Sequence, residues 1–344
     1  MKLIRVDMAQ LQASTGPVPG VYERLGGRAL IARLLLEEIP PDCDALGKHN
    51  KLIFAPGLLG GAGVATAGRL SVGGKSPLTS GVKEANAGGT AGDALGHLGI
   101  KAIVVEGIPA QKDIYILHVG EDLAELIPAK ELVGLGTYAT SEKLQGKYRK
   151  TATIISIGQA GEMQLRGAGI VVTGMGDQRS NVAARGGLGS VMGSKGIKAV
   201  VIDKAKVKAT EYSDHELFRS AAKTFMQTLV NDPKLGTKGT QHLYGTASIV
   251  AAVNELGALP TRNFSSGSFE SSSKLTGETL RETTLARGGL AGTRCMPGCT
   301  IACRNVYADE SGNPIVGTLQ YETIALIGSN LGLDNLDDVA RLNF

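Results

Sequence analysis

The sequence predicts an α+β protein: a β-rich first domain over 1–210 and a mainly α-helical second domain over 211–344. Three observations predict it. Short apolar runs alternate with glycine bursts through the first part, and 48 of the 344 residues are glycine with no Trp. Those glycines follow no collagen or low-complexity period, so they mark turns and places where backbone comes close to something else. From about Ser213 the apolar spacing becomes helical. Three of the four cysteines then fall together, at 295, 299 and 303.

Residues 1–8 and 50–56 read as short buried strands, with a helix from about Ala29 to Ile39 between them. Lys101–Gly107 and Asp113–Val119 read as neighbouring strands joined through Gly107-Ile-Pro109. Thr137–Tyr148 is a modest helix, and Thr153–Gly158 and Lys198–Asp203 are further strands. Helices follow at Asp214–Asn231, at Ala247–Gly257 and from Tyr321 onwards. Glycine bursts lie at Gly57–Gly63, Gly68–Gly92, Gly158–Gly176 and Gly186–Gly196. A faint echo links Gly68–Pro77 with Ala184–Gly196: each places an Arg before a Gly-rich run ending in a Lys, and it is too short to prove duplication.

Composition narrows the function. The 36 basic and 32 acidic residues give +4, spread evenly, which is no nucleic-acid stripe. The first apolar run carries Lys2 and Arg5 and reads as a strand, not a signal peptide. No apolar run approaches a membrane span. Few cysteines, mostly in one cluster, suit a reducing compartment. A cytoplasmic protein with no nucleic-acid or membrane partner is expected.

The cysteine stretch is Arg294-Cys295-Met-Pro-Gly-Cys299-Thr-Ile-Ala-Cys303-Arg304. A short loop brings three soft sulfur ligands towards one point, and Pro297-Gly298 supplies a turn. A disulfide leaves one thiol over, so a metal centre explains the cluster better than a bridge. Spacing alone leaves zinc and iron–sulfur both open. The bland alternative is three half-buried structural thiols. Cys43 stands alone in a Pro/Asp-rich turn. Arg69, Lys75, Arg179, Arg185 and Lys195 lie in or beside glycine bursts, and Asn86-Ala-Gly-Gly adds an amide next to bare backbone. Arg forks with exposed N–H groups suit phosphate. There is neither a P-loop nor a Rossmann fingerprint. His97, His118 and His242 show no ligand spacing and read as structural.

Taken as an ordered set, these stretches resemble the tungsten-containing aldehyde ferredoxin oxidoreductases. The carriers are Gly26-Gly-Arg28, Asn50–Gly57, Gly68-Arg69, Lys75–Thr79, Ala85–Gly89, Ser156–Glu162, Arg185–Ala199, Tyr244–Thr246, Asn263-Phe264, the cysteine cluster and Tyr321-Glu322. They run from end to end of the chain.

The resemblance implies a β-rich pterin-binding domain of two sheets, then an incomplete helical domain carrying the cluster cysteines. It implies tungsten (or molybdenum) held between two pterin dithiolenes beside a [4Fe–4S] cluster, with Mg²⁺ at the pterin phosphates. Arg69 would lie between pterin and cluster. Asn86 and Gly88, within Asn86-Ala87-Gly88-Gly89, would hold the phosphate and its Mg²⁺. Lys75 and Arg185 belong to the same cofactor-binding set, and Arg179 would be a phosphate partner in a segment slightly longer than the family pattern. Cys295, Cys299 and Cys303 would be cluster ligands, although the family spacing is Cys-x2-Cys-x3-Cys and here both gaps are three residues. Glu322 would act as general acid/base, as a buried carboxylate with a raised pKa. The implied reaction takes an aldehyde to a carboxylic acid and passes electrons to ferredoxin or a ferredoxin-like subunit, in a homo-oligomer. Family members are longer, so the second pterin motifs, the fourth cluster cysteine and an active-site His are expected outside 1–344. Action on another carbonyl or an aromatic acyl thioester, and a non-catalytic truncated fragment, are the alternatives.

Overall fold

The computed structural model describes residues 1–176, 181–203 and 212–343. The chain forms two units, Met1–His215 with Met296–Gly298, and Glu216–Cys295 with Cys299–Phe344.

The first unit opens with β1 (Lys2–Asp7), β2 (Gln12–Pro17), α1 (Gly27–Glu38), β3 (Leu52–Pro56), β4 (Leu70–Lys75), β5 (Val82–Ala87), α2 (Ala91–His97) and β6 (Ile100–Glu106). It continues with β7 (Tyr115–Val119), β8 (Ala124–Pro128), α3 (Thr137–Lys147), β9 (Thr153–Ser156), α4 (Gln159–Glu162), β10 (Ile170–Val172), β11 (Asn181–Ala183), α5 (Leu188–Ser194) and β12 (Ile197–Ile202). One six-stranded sheet has the order β2-β1-β6-β3-β4-β5, and the other has β11-β10-β9-β12-β7-β8. Their facing sides form one core, in which Val6, Phe54, Leu70 and Val105 meet Leu117, Ile155, Ile170 and Val200. The outer face of the first sheet is covered by Leu30, Ile31 and Leu34 of α1. Leu144 of α3 packs with Ile116, Ile154 and Val201 on the second. Central strands covered on both faces explain why β6 and β12 are apolar on both faces apart from Lys101, Glu106 and Lys198.

Two expectations change here. The strands Lys101–Gly107 and Asp113–Val119 are not neighbours: they become β6 and β7, in different sheets. The Gly68–Gly92 burst is not all loop, because it holds the β4–β5 hairpin.

The two sheets also share one topology. Read as β1 to β6 and as β7 to β12, both halves pair first with sixth parallel and every other neighbour antiparallel. The sequence repeat that matches is Gly99-Ile-Lys-Ala-Ile-Val-Val against Gly196-Ile-Lys-Ala-Val-Val-Ile. The echo of Gly68–Pro77 with Ala184–Gly196 therefore compared segments that are not counterparts. Equivalent lysines do equivalent work: Lys101 Nζ donates to Glu23 O and Lys198 Nζ to Leu135 O, each at 2.8 Å. Equivalent glycines do too. A Cβ on Gly92 would stand 2.3 Å from Gly68 O, and one on Gly189 2.3 Å from Gly169 O. Each short helix therefore lies directly on its neighbouring loop.

Lys75 and Lys195 converge on one loop. Lys75 Nζ donates to Pro41 O at 2.5 Å and Lys195 Nζ to Gly47 O at 3.0 Å. Asn50 fastens the same loop, donating to Ala45 O and Lys75 O while accepting from Lys75 N–H. Both lysines are buried, Lys195 completely. Burial pulls the Lys195 ammonium down to about 8. Charged Lys195 thus burdens the fold below pH 8, and the burden lifts as pH rises, because the unfolded chain binds the proton more tightly. Native stability gains about 1.5 kcal/mol from this group between pH 8 and 9.5. Urea titrations at the two pH values should show that gain in the wild type and its loss in Lys195→Met.

The second unit contains α6 (His215–Asn231), α7 (Thr240–Tyr244), α8 (Val250–Glu255), α9 (Gly277–Ala286), β13 (Leu290–Thr293), β14 (Arg304–Ala308), β15 (Pro314–Val316), α10 (Tyr321–Thr323) and α11 (Leu336–Asn343). Its core gathers Val250, Leu280, Tyr307, Leu319, Ile324 and Val339. The three-stranded sheet β13-β14-β15 is an addition to the helices expected. Its strands are three to five residues long, too short for a period to register. The expected helix from Tyr321 is broken, since α10 passes into a π-turn at Ile324–Gly328. No helix among the described residues is long and apolar enough to cross a membrane.

Candidate functional site

In the first unit the β4–β5 register pairs Leu70 with Ala87 and Ser71 with Asn86. Arg69 and Gly88 therefore leave adjacent strand ends side by side. The Arg69 guanidinium donates through Nε to Asn86 Oδ1 and through Nη2 to Asn86 O, the latter at 3.3 Å. Asn86 Nδ2 donates on to Ser71 Oγ at 3.2 Å. Arg69 is exposed and Asn86 half-buried, so a cationic fork is held ready at the surface.

The loop in front of Arg69 is tight. A Cβ on Gly68 would stand 2.3 Å from an Asp93 carboxylate oxygen. Ala87 points into the inter-sheet core, leaving only its backbone for a ligand. Gly88 is buried. Gly89 has φ +95°, and a Cβ there would lie 2.6 Å from Thr173 O; packing already explains that glycine.

Arg185 is exposed just after β11. It lies as far before α5 as Gly88 lies before α2, so the duplication makes the two positions counterparts. Lys75 is not gathered with Arg69, because its ammonium is committed to Pro41. Arg179 lies outside the described residues.

In the second unit the cysteine stretch is a hairpin loop. Thr293 of β13 pairs with Arg304 of β14, and the loop between them carries all three thiols. Gly298 (φ +70°) and Ala302 (φ +49°) turn it. Cys299 is buried, while Cys295 and Cys303 are half-buried. A hydrogen bond from Cys295 holds the Cys299 thiol down at about 6, against the opposing effect of burial, with help from the N–H groups of Ala302 and Ile301 and the Arg294 charge. A thiol so disposed is a thiolate at neutral pH, the form that ligates metals. The Cys295–Cys299 pair brings two soft sulfur donors together. The triad is not preassembled: no group of three His, Cys, Asp or Glu suited to a metal ion occurs among the described residues. Cys303 sits at the foot of the hairpin, its carbonyl 2.7 Å from where a Gly245 Cβ would be.

Glu322 departs from expectation. It is exposed on the three-residue α10 and is not a buried carboxylate. The helix start is pinned by Tyr321 N–H donating to Thr246 Oγ1 at 3.0 Å. His242 is not a bystander: its Nδ1 donates to Ile301 O at 2.7 Å, inside the cysteine loop. A lone His in the middle of a five-residue helix gave no spacing signal for that contact.

The family model for the N-terminal domain of aldehyde ferredoxin oxidoreductase matches residues 3–204, and the model for its domains 2 and 3 matches 220–344. The tungsten-containing aldehyde ferredoxin oxidoreductase of Thermococcus kodakarensis is 36% identical over 323 residues, 93% of this chain and 50% of that one. The Pyrococcus furiosus enzyme of the same name is 35% identical over 322 residues, with the same coverages. A WOR-like subunit of an aliphatic sulfonate oxidoreductase from Pyrococcus furiosus is 26% identical over 365 residues, 55% of its length. The chain thus spans about half the length of these curated relatives. Among solved structures, the BamBC active-site complex of benzoyl-coenzyme A reductase with 1,5-dienoyl-CoA shares the fold, with a TM-score of 0.81 at 23% identity over 99% of this chain and 52% of that one.

Proposed function

The chain belongs to the aldehyde ferredoxin oxidoreductase family, and on that premise we propose that it acts in oxidising aldehydes to carboxylic acids. The centre would be tungsten (or molybdenum) bound by two pterins, with a [4Fe–4S] cluster beside it and Mg²⁺ at the pterin phosphates. That group supplies the two-electron redox chemistry, while the protein supplies grip, orientation and charge. Electrons would leave for ferredoxin or a ferredoxin-like subunit.

The observation that carries this reading is the Arg69–Asn86 fork at the open end of the β4–β5 hairpin. Arg69 offers a planar donor pair suited to phosphate, and Asn86 holds it in place through both a side-chain and a main-chain oxygen. Asn86 and the Gly88 backbone would take the phosphate and its Mg²⁺. Arg185, and Arg179 in the family's order of motifs, would add charge from the second half of the unit. Cys295, Cys299 and Cys303 would ligate the cluster. Glu322, exposed on its short helix, would exchange a proton with substrate or water.

The test is metal and pterin content of the purified protein. Arg69→Ala removes a charge-assisted contact, so tungsten and acid-released pterin per chain should fall about tenfold or more under limiting cofactor. Lys75→Met, which loosens the Pro41 loop, should lower stability yet leave pterin per folded chain unchanged. Undiminished pterin in Arg69→Ala would remove the basis of the reading.

A further inference from the structure

We infer that Ser71 is a positioning residue for the anion site: it fixes the Asn86 amide so that the Arg69 guanidinium keeps one edge free for a phosphate group. The inference rests on the reading of Arg69 as a phosphate ligand and adds a residue behind it. Arg69 Nε donates to Asn86 Oδ1, and Arg69 Nη2 donates to Asn86 O at 3.3 Å. Asn86 Nδ2 then donates to Ser71 Oγ at 3.2 Å. Ser71 stands directly opposite Asn86 in the β4–β5 register, so the hairpin itself brings the hydroxyl to the amide.

Donor and acceptor chemistry dictates the order of these bonds. A guanidinium only donates, so the Asn86 side-chain oxygen must face Arg69 and the amide nitrogen must face away. The Ser71 hydroxyl stands on that far side and accepts. The terminal torsion of an Asn side chain is broad and roughly two-fold, so nothing within Asn86 holds the orientation. A turned amide would set its NH2 group against Arg69, donor against donor. On the guanidinium, Nε and Nη2 form one edge, and Asn86 occupies it. Nη1 with the second N–H of Nη2 forms the other edge, which suits a phosphate held through a pair of oxygens. Ser71 thus determines, through Asn86, which edge Arg69 keeps for a ligand.

Ser71 is also an unexpected residue for its place. Its neighbours Leu70 and Val72 belong to the inter-sheet core, so Ser71 faces the outer side of the sheet, beneath α1. It is 4% exposed. A Cβ on Gly27, the first residue of α1 (φ +50°), would stand 3.3 Å from its Oγ. A covered position favours an apolar side chain, because a buried hydroxyl needs a hydrogen bond to offset its desolvation. The bond from Asn86 meets that need. The same enclosure leaves little water to compete for the Asn86 amide.

The experiment is calorimetric titration of inorganic phosphate into the full chain, purified from cells grown without tungsten or molybdenum, with the melting temperature recorded for each variant. Ser71→Ala should weaken phosphate binding about fivefold, the effect of one hydrogen bond. Asn86→Ala should weaken it at least as much. In the Asn86→Ala background, Ser71→Ala should change the affinity by less than about 1.5-fold, because the amide it orients is gone. A serine that only props the strand would lower affinity or melting temperature equally in both backgrounds. Unchanged affinity in folded Ser71→Ala, or an equal loss with and without Asn86, overturns the inference alone. If Ser71→Ala fails to fold, Ser71→Cys, whose sulfur is a weak acceptor, is read in the same two backgrounds by the same criteria. A wild-type chain that binds no phosphate, or whose affinity does not fall in Arg69→Ala, overturns both this inference and the reading of Arg69.

Discussion

Gly193→Ala should abolish the native first unit. The added Cβ would stand 1.9 Å from Gly161 O and 2.8 Å from Gly161 C, and both are backbone atoms with no rotamer to yield. Gly161 is itself held in α4, its N–H donating to Gly158 O at 3.0 Å. Helix α5 would have to lift off α4, opening the core around Leu188, Val191 and Met192. A loss above about 4 kcal/mol is expected, a large fraction of what a domain has. The duplication extends the prediction to Gly96→Ala, whose Cβ would lie 2.0 Å from Gly60 O. Gly146→Ala is the control: it lies in α3 with nothing within 4 Å of the new Cβ, and it should stabilise by about 0.5–1 kcal/mol through helix propensity. Soluble yield and denaturant midpoints would rank the three.

Asp337→Ala should cost the second unit about 3–5 kcal/mol, as expected when one partner of a largely buried charged pair is removed. Arg287 grips the carboxylate with both terminal nitrogens, Nη2 at 3.1 Å from Oδ2. Tyr307, fully buried, donates its hydroxyl to Asp337 Oδ1 at 3.0 Å and accepts from Arg287 Nη1 at 3.0 Å. Removing the carboxylate strands a guanidinium and a phenol together. The hydrogen bonds from Arg287 hold the Asp337 carboxyl below its ordinary range. A carboxylate with a lowered native pKa contributes its full stability above the ordinary carboxylate range and loses it as pH falls through the native value. The gap between wild type and Asp337→Ala should therefore be widest near pH 7 and close on acidification. Lys274→Met is the contrast: its 2.6 Å bridge to Asp334 is exposed and should be worth less than about 1 kcal/mol. Urea titrations at pH 7 and pH 3 would test both statements.

Particular elements show what could be read early. β6 and β12 announced themselves because a strand covered on both faces is apolar at most positions, and Ile100–Glu106 and Ile197–Ile202 are buried nearly throughout. Arg69 and Asn86 stood out by residue type and glycine context, and the β4–β5 register then brought them into contact. The lysines ending the two glycine runs misled. Lys75 and Lys195 looked like anion ligands, yet both point inward to the carbonyls of the Pro41–Gly47 loop. A charge in a glycine-rich stretch does not disclose which way its side chain faces. For Glu322 the burial alone went unread, since one Glu before an apolar run says nothing of its solvent exposure.

Composition, period and local motif determined the α+β class, the cysteine cluster and the residue types of an anion grip, because each depends on neighbours a few positions apart. Tertiary structure alone decided that the first unit is one topology used twice, that the cysteines ride a hairpin, and that His242 bonds the Ile301 carbonyl 59 residues away. Strand order and long-range hydrogen bonds join residues far apart in the chain, and no local period records such pairings.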